Sequence, residues 1–252
     1  MASDQDKKIN SFAIRSFRDV ADQDYIVARL ACRADLMSQF MWAAQQAIEK
    51  YLKGILCLHR IPAVDLGHNV PAAVALLKRL PFDVELDEQS AKTIQHIGVY
   101  GPYRYLEAPW IVVGYVLPRL DRAIWELRRY CQAINHERLN TSGVDPRFEE
   151  SIKQSKSQMP QRFKIPGGLL ETIVGKKDHP ARSALVWQNQ YYGSSTRKQI
   201  TAPWKLSGAN PPLMHHPEIL DEVAHLVHIP AIVRRACKDV WLPAKQKRDS
   251  NA

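Results

Sequence analysis

Apolar residues recur at three- and four-residue spacing through most of the first 135 positions. Over residues 36–60 the series Phe40, Ala44, Ala47, Tyr51, Ile55 and Leu58 marks one face of a long helix. Gly54 is its one weak helix former, and Pro62 stops it. A shorter helix is expected before it, near 22–33. After the Asp65-Leu66-Gly67-His68 turn, Asn69 as N-cap and Pro71 in the first turn open a helix that reaches Leu80. Asp87 caps the next, which runs to about Tyr100 and ends at Gly101 and Pro102. Trp110, Val113, Leu117, Leu120, Ile124, Leu127, Cys131 and Ile134 then form a heptad-like seam, with a kink expected at Pro118. No stretch alternates with period two. The pattern predicts an all-α fold, an antiparallel four- to five-helix bundle.

Beyond the seam the helical signal breaks into short pieces, each preceded by a proline: Pro166, Pro180, Pro217 and Pro230. None is long enough to hold alone, so they are expected to pack on the bundle as an annex. Residues 140–160 are rich in Thr, Ser, Gly, Asp, Gln and Pro and lack periodicity, the composition of a connector. The expected organisation is a bundle over 1–140, a connector over 141–160 and a basic helical extension over 161–252.

Charge sharpens that division. The 252 residues are 45% apolar with a formal charge of +9. Residues 1–150 carry nineteen basic and nineteen acidic side chains, and residues 151–252 sixteen basic against seven acidic, so the whole excess lies in the extension. The longest apolar run, 110–117, lies between Pro109 and Pro118 and falls short of the ~20 residues a spanning helix needs, so no membrane partner is expected. The N-terminus lacks the apolar core of a secretory signal, and Cys32, Cys57, Cys131 and Cys237 form no C-x-x-C pair. A cytoplasmic location follows as the expectation. Asp221, Glu222, His225 and His228 give one E-x-x-H on a helix; a bundle di-metal centre needs a second, so neither metal nor cofactor is expected.

Ala43-Ala44-Gln45-Gln46-Ala47-Ile48-Glu49-Lys50-Tyr51-Leu52-Lys53-Gly54, preceded by Asp22-Gln23-Asp24-Tyr25 and followed by the Gly67-His68-Asn69 turn, resembles a HEPN domain over about residues 17–135. The resemblance implies a four- to five-helix bundle, commonly a homodimer, often paired with a nucleotidyltransferase-type protein. It also implies either RNase activity or non-catalytic binding of nucleotide or RNA. From helical geometry, Gln45, Glu49 and Lys53 fall at i, i+4 and i+8 on one polar stripe, with Gln46 and Lys50 on its neighbour. These five, with His68, Tyr103, Arg104, Arg182, Arg197 and Lys198, form the candidate surface for nucleic acid, nucleotide or a protein partner.

The family's catalytic members use an Arg followed after four to six residues by a His: the imidazole moves the 2′-hydroxyl proton and the guanidinium holds the phosphate. Arg129 and His136 are the one pair with that spacing, where chance supplies about two. They fall at the end of the last helix. At the expected place, around 103–107, stands Arg104 with no His at that distance. In the extension, Lys153, Lys156, Lys164, Lys176, Lys177, Arg182, Arg197 and Lys198 are interleaved with Phe163, Trp187, Tyr191 and Tyr192, the two ingredients of a single-strand nucleic-acid surface. The leading expectation is a non-catalytic HEPN-like module that binds RNA, nucleotide or a protein. The alternatives are a metal-independent endoribonuclease of the toxin or defence type and a structural homodimer subunit.

Overall fold

The computed structural model describes residues 3–101, 109–132, 146–156, 163–193 and 201–250. Helix makes up 67% and strand 5%, so the fold is all-α with a minor sheet. Helix α1 (Asp4–Ala13) opens on a reciprocal cap between Ser3 and Asp6 and passes through a π-helical turn, Ile14–Arg18, into α2 (Asp19–Arg33). A short turn with Asp35 at φ 61° reverses the chain into α3 (Met37–Leu58). Helix α3 is the hub of the bundle. Helices α1, α2, α4 (Val70–Leu76), α5 (Glu88–Tyr100) and α6 (Val116–Arg128) all pack against it. It buries Phe40, Ala44, Ala47, Ile48, Tyr51, Leu52 and Ile55. Gly54 lies on this helix because the π-helical turn crosses it: a Cβ there would stand 3.2 Å from Phe17 Cβ. The caps fall where their chemistry places them. Asn69 accepts from the Ala72 N–H at 2.9 Å and Asp87 from the Ser90 N–H at 2.7 Å.

The seam departs from expectation at its start. Trp110–Gly114 is not helix but strand β1, paired antiparallel with β2 (Lys205–Ala209) from Trp110↔Ala209 to Gly114↔Lys205. The Ile111-Val112-Val113 run favours a pleated backbone, and its pairing partner lies too far along the chain for local periodicity to register. Helix α6 starts after it, so Pro118 sits in a first turn, where its missing N–H costs nothing, and introduces no kink. Leu117, Leu120, Ile124, Leu127 and Cys131 are buried as the seam predicts.

The chain divides into two compact units: residues 1–102 with 115–203, and residues 103–114 with 204–252. Neither boundary falls in 141–160. Of that connector, residues 146–156 are described, and they include the end of helix α7 (Pro146–Ser155). The first unit continues through α8 (Leu169–Gly175) and α9 (Arg182–Val186). Helix α9 stops well short of the expected Tyr192, with Gln188 in the left-handed region at φ 49°. The second unit holds the sheet, α10 (Pro212–His215), α11 (Leu220–Leu226), α12 (Ala231–Ala236) and α13 (Leu242–Asp249). Its core is small: Leu213, Leu220, Ile229, Val233 and Cys237. The basic run 245–248, which composition makes a tail, is the middle of α13.

Two buried ionic clusters join α8 and α9 to the bundle. Arg128 is fully buried; its guanidinium donates to both Asp22 oxygens at 2.7 and 2.9 Å and to both Glu171 oxygens at 2.8 Å, while Tyr51 donates to Asp22 at 2.6 Å. Burial raises the Glu171 carboxyl, but Arg128 outweighs it and holds that carboxyl below its usual range. In the second cluster Arg29 donates to Asp121 and to the carbonyls of Ala184 and Trp187, Tyr25 donates to Asp121 at 2.6 Å, and Asn189 donates to Tyr25 at 2.9 Å. Burial pushes the Asp121 carboxyl up, consistent with its Oδ2 having no hydrogen-bond partner.

Removing one member of a buried pair strands the other charge. Arg128→Ala is therefore expected to lower unfolding free energy in urea by about 3–5 kcal/mol. The double variant Asp22→Leu with Arg128→Met should lose less than the single one. Equal losses would mean that the stranded carboxylate is not the source of the penalty.

Candidate functional site

The polar stripe predicted on α3 is one connected row of hydrogen bonds. Lys50 Nζ donates to Asp24 at 2.7 Å and to Gln46 Oε1 at 3.0 Å; Gln46 Nε2 donates to Gln45 Oε1 at 2.7 Å; Gln45 Nε2 donates to Glu49 Oε2 at 2.9 Å. From Glu49 the row forks. Lys53 Nζ donates to Glu49 Oε1 at 2.8 Å and to the Gly67 carbonyl at 2.7 Å, and His68 Nδ1 lies 2.9 Å from Glu49 Oε2. Helical spacing aligns Gln45, Glu49 and Lys53, while His68 arrives on the loop after the 3-10 turn Val64–Leu66, which Lys53 fastens to α3. At the other end α5 closes on the row. A Cβ at Gly101 would stand 2.4 Å from Gln45 Cβ, so only glycine allows that approach.

Glu49 organises this face. Gln45 and Glu49 are buried, whereas the His68 side chain is 71% exposed. Burial raises the Glu49 carboxyl, but hydrogen bonds from Lys53, His68 and Gln45 bring it below its ordinary range. The carboxylate therefore stays ionised and fixes two nitrogen groups side by side. With Nδ1 committed to Glu49, His68 keeps Nε2 for an outside partner, and Lys53 keeps a third N–H. An ammonium beside an imidazole is a reasonable seat for a phosphate oxygen.

Other predicted residues are placed differently. Arg129 is buried: it donates to the carbonyls of Glu85 and Glu126 and its guanidinium lies over the rings of Trp125 and Tyr130. That position makes it part of the packing. His136, Tyr103, Arg104, Arg197 and Lys198 lie outside the described residues. Arg182 donates to the Val174 carbonyl at 3.0 Å and so ties α9 to α8. The aromatics of the extension turn inward: Tyr191 stacks on Trp125, Tyr192 is buried beside Tyr25, and Trp187 carries Arg33 over its ring. They are not a stacking platform for bases. Among the described residues no group of His, Cys, Asp and Glu is arranged to hold a metal ion, and Asp221, Glu222, His225 and His228 form none.

Two features escaped the sequence. Asp24, which anchors Lys50, comes from α2 and has no spacing relation to the stripe. A second recess, near 330 Å³, lies among Glu85, Asp87, Arg122, Glu126 and the Trp125–Tyr191 stack. Its residues come from three distant segments, and its charges satisfy one another, with Arg122 bound to Asp87 at 2.9 Å and to Glu126 at 3.0 Å.

A helical bundle whose hub helix carries a fixed row of amide, carboxylate and ammonium groups defines an all-α domain with a polar recognition face. The family model of the HEPN domain matches residues 14–111, so the N-terminal half of this chain is a HEPN domain; the C-terminal extension has no family assignment. The match takes in the α2–α3 hairpin, the whole row and the His68 turn. No curated protein and no solved structure matches the chain.

Because the folded Glu49 carboxyl is depressed, its contribution to stability is complete above the unfolded carboxylate range and is lost as pH falls through the folded value. Glu49→Gln is expected to cost about 1–3 kcal/mol at neutral pH and to flatten the acid side of the stability–pH curve. Urea titrations from neutral into acid would show it. A variant curve parallel to wild type would remove Glu49 from its central place.

Proposed function

We propose that this chain is a nucleotide- or RNA-binding module of the HEPN class, with the ligand's phosphate held against Lys53 and His68. The observation that carries this reading is the buried Glu49, which fixes both nitrogen groups at the surface of α3. Lys50 and Gln46 continue the face toward α2. The +9 excess beyond residue 150 supports it, since a basic extension draws polyanions toward the domain. The non-catalytic form is favoured because Arg129, half of the one Arg–His pair with catalytic spacing, spends its donors inside the fold. A homodimer and a nucleotidyltransferase-type protein partner belong to the same proposal, as partners that the resemblance implies. The four cysteines are unpaired thiols, three of them buried, which supports a cytoplasmic setting.

One observation favours a second reading, a metal-independent endoribonuclease. His68 held by a carboxylate at 2.9 Å is a reasonable proton acceptor for a 2′-hydroxyl, with Lys53 beside it for the phosphate charge.

Both readings meet in one experiment. Full-length protein is titrated with a fluorescent single-stranded RNA at several salt concentrations, and the RNA is then run on a denaturing gel. Lys53→Ala and His68→Ala should each weaken binding by about tenfold, and affinity should fall with salt. Binding indifferent to both substitutions contradicts the assignment of the face. RNA cut by wild type and left whole by His68→Ala selects the nuclease reading.

A further inference from the structure

The second unit exposes more apolar surface than its size accounts for. It holds about a quarter of the described residues but nine of their seventeen exposed large apolar side chains. Three of the nine flank one connection: Leu226 ends α11, Val227 follows it, and Ile232 lies in the first turn of α12. They are 81%, 57% and 63% exposed, so they stand off the surface, while Ile229 and Val233 between and beside them point into the core. The connection is held in shape by Arg234, whose Nε donates to the Ile229 carbonyl at 2.9 Å.

The charges around this turn have one sign. Residues 225–238 contain Arg234, Arg235 and Lys238 and no carboxylate. Arg235 is three residues on from Ile232 and thus shares its face of the helix. A projecting aliphatic tip ringed by cations fits a surface that is anionic outside and apolar just beneath. Single-stranded nucleic acid fits it poorly, because 225–238 has no aromatic ring on which a base could stack. A groove on another protein would ask for a stripe along a helix, whereas these side chains sit at a turn.

We infer that the α11–α12 turn is an anchor for an anionic lipid surface, with Leu226, Val227 and Ile232 entering the headgroup layer and Arg235 and Lys238 pairing with lipid phosphates. No described helix is long and apolar enough to cross a membrane, and contact of this kind needs none. The expectation of no membrane partner rested on the lack of a spanning run and does not bear on a surface contact.

The test is co-sedimentation of the full-length protein with vesicles of phosphatidylcholine and phosphatidylglycerol in equal parts, against phosphatidylcholine alone. Wild type should bind the mixed vesicles and leave the neutral ones. Arg235→Glu with Lys238→Glu should weaken binding by at least about fivefold for each cation lost. Leu226→Ser with Ile232→Ser should also release the protein. All four positions are exposed, so circular dichroism and the unfolding midpoint should be unchanged, which separates lost docking from lost fold. Failure to bind mixed vesicles, equal binding to both kinds, or binding that survives both double variants would overturn the inference. So would release by free glycerol phosphate, which would indicate a discrete phosphate site. RNA binding that is lost in the Leu226→Ser, Ile232→Ser variant would assign the turn to nucleic acid instead and overturn it as well.

Discussion

The fold of the larger unit depends on one fully buried guanidinium. Arg128 reaches it from α6 and meets Asp22 of α2 and Glu171 of α8, while Tyr51 of α3 completes the shell of Asp22. A charge so deep is tolerable only because all of its donor directions are filled, and each partner lies on a different element. The geometry of those elements is therefore set together. Arg29 repeats the device one side chain farther along, tying α2 to Asp121 of α6 and to the backbone that ends α9.

That constraint gives the recognition face its rigidity. Helix α3 is gripped by neighbours on several sides, so Gln45, Glu49 and Lys53 are presented from a backbone with little freedom. The buried carboxylate orients the ammonium and imidazole in the unbound protein, and less ordering is left for a ligand to impose. Lys50 extends the same row toward α2 through Asp24, which lies two residues from the Asp22 that binds Arg128. Face and core are thus consecutive parts of one polar arrangement.

Local signals predicted what local chemistry controls. The caps at Asn69 and Asp87, the long helix through 58 and the buried positions from Leu117 to Cys131 follow from propensity and periodicity alone. The face was legible for the same reason: Gln45, Glu49 and Lys53 are spaced to touch. Long-range pairing left no such trace. Trp110–Gly114 became a strand because of a partner near residue 207, and Trp187, Tyr191 and Tyr192 turned inward because α2 and α6 supply the surfaces they cover. Arg128 and Arg129 look alike in sequence, and only the elements around them show that both guanidinium groups lie inside the structure. The change in composition near residue 150 marks a change in surface charge rather than the limit of a core, since residues 163–193 share the bundle's buried clusters.

The central claim is that these residues belong to the same cooperative core as the N-terminal bundle. Native-state hydrogen exchange on the full-length protein tests it most directly, by comparing amides of α8 and α9 with those of α3 as denaturant is raised. The account predicts that the most protected amides in all three helices merge into one global opening with the same free energy. Exchange of α8 and α9 through an opening of lower free energy, with α3 still protected, would contradict it.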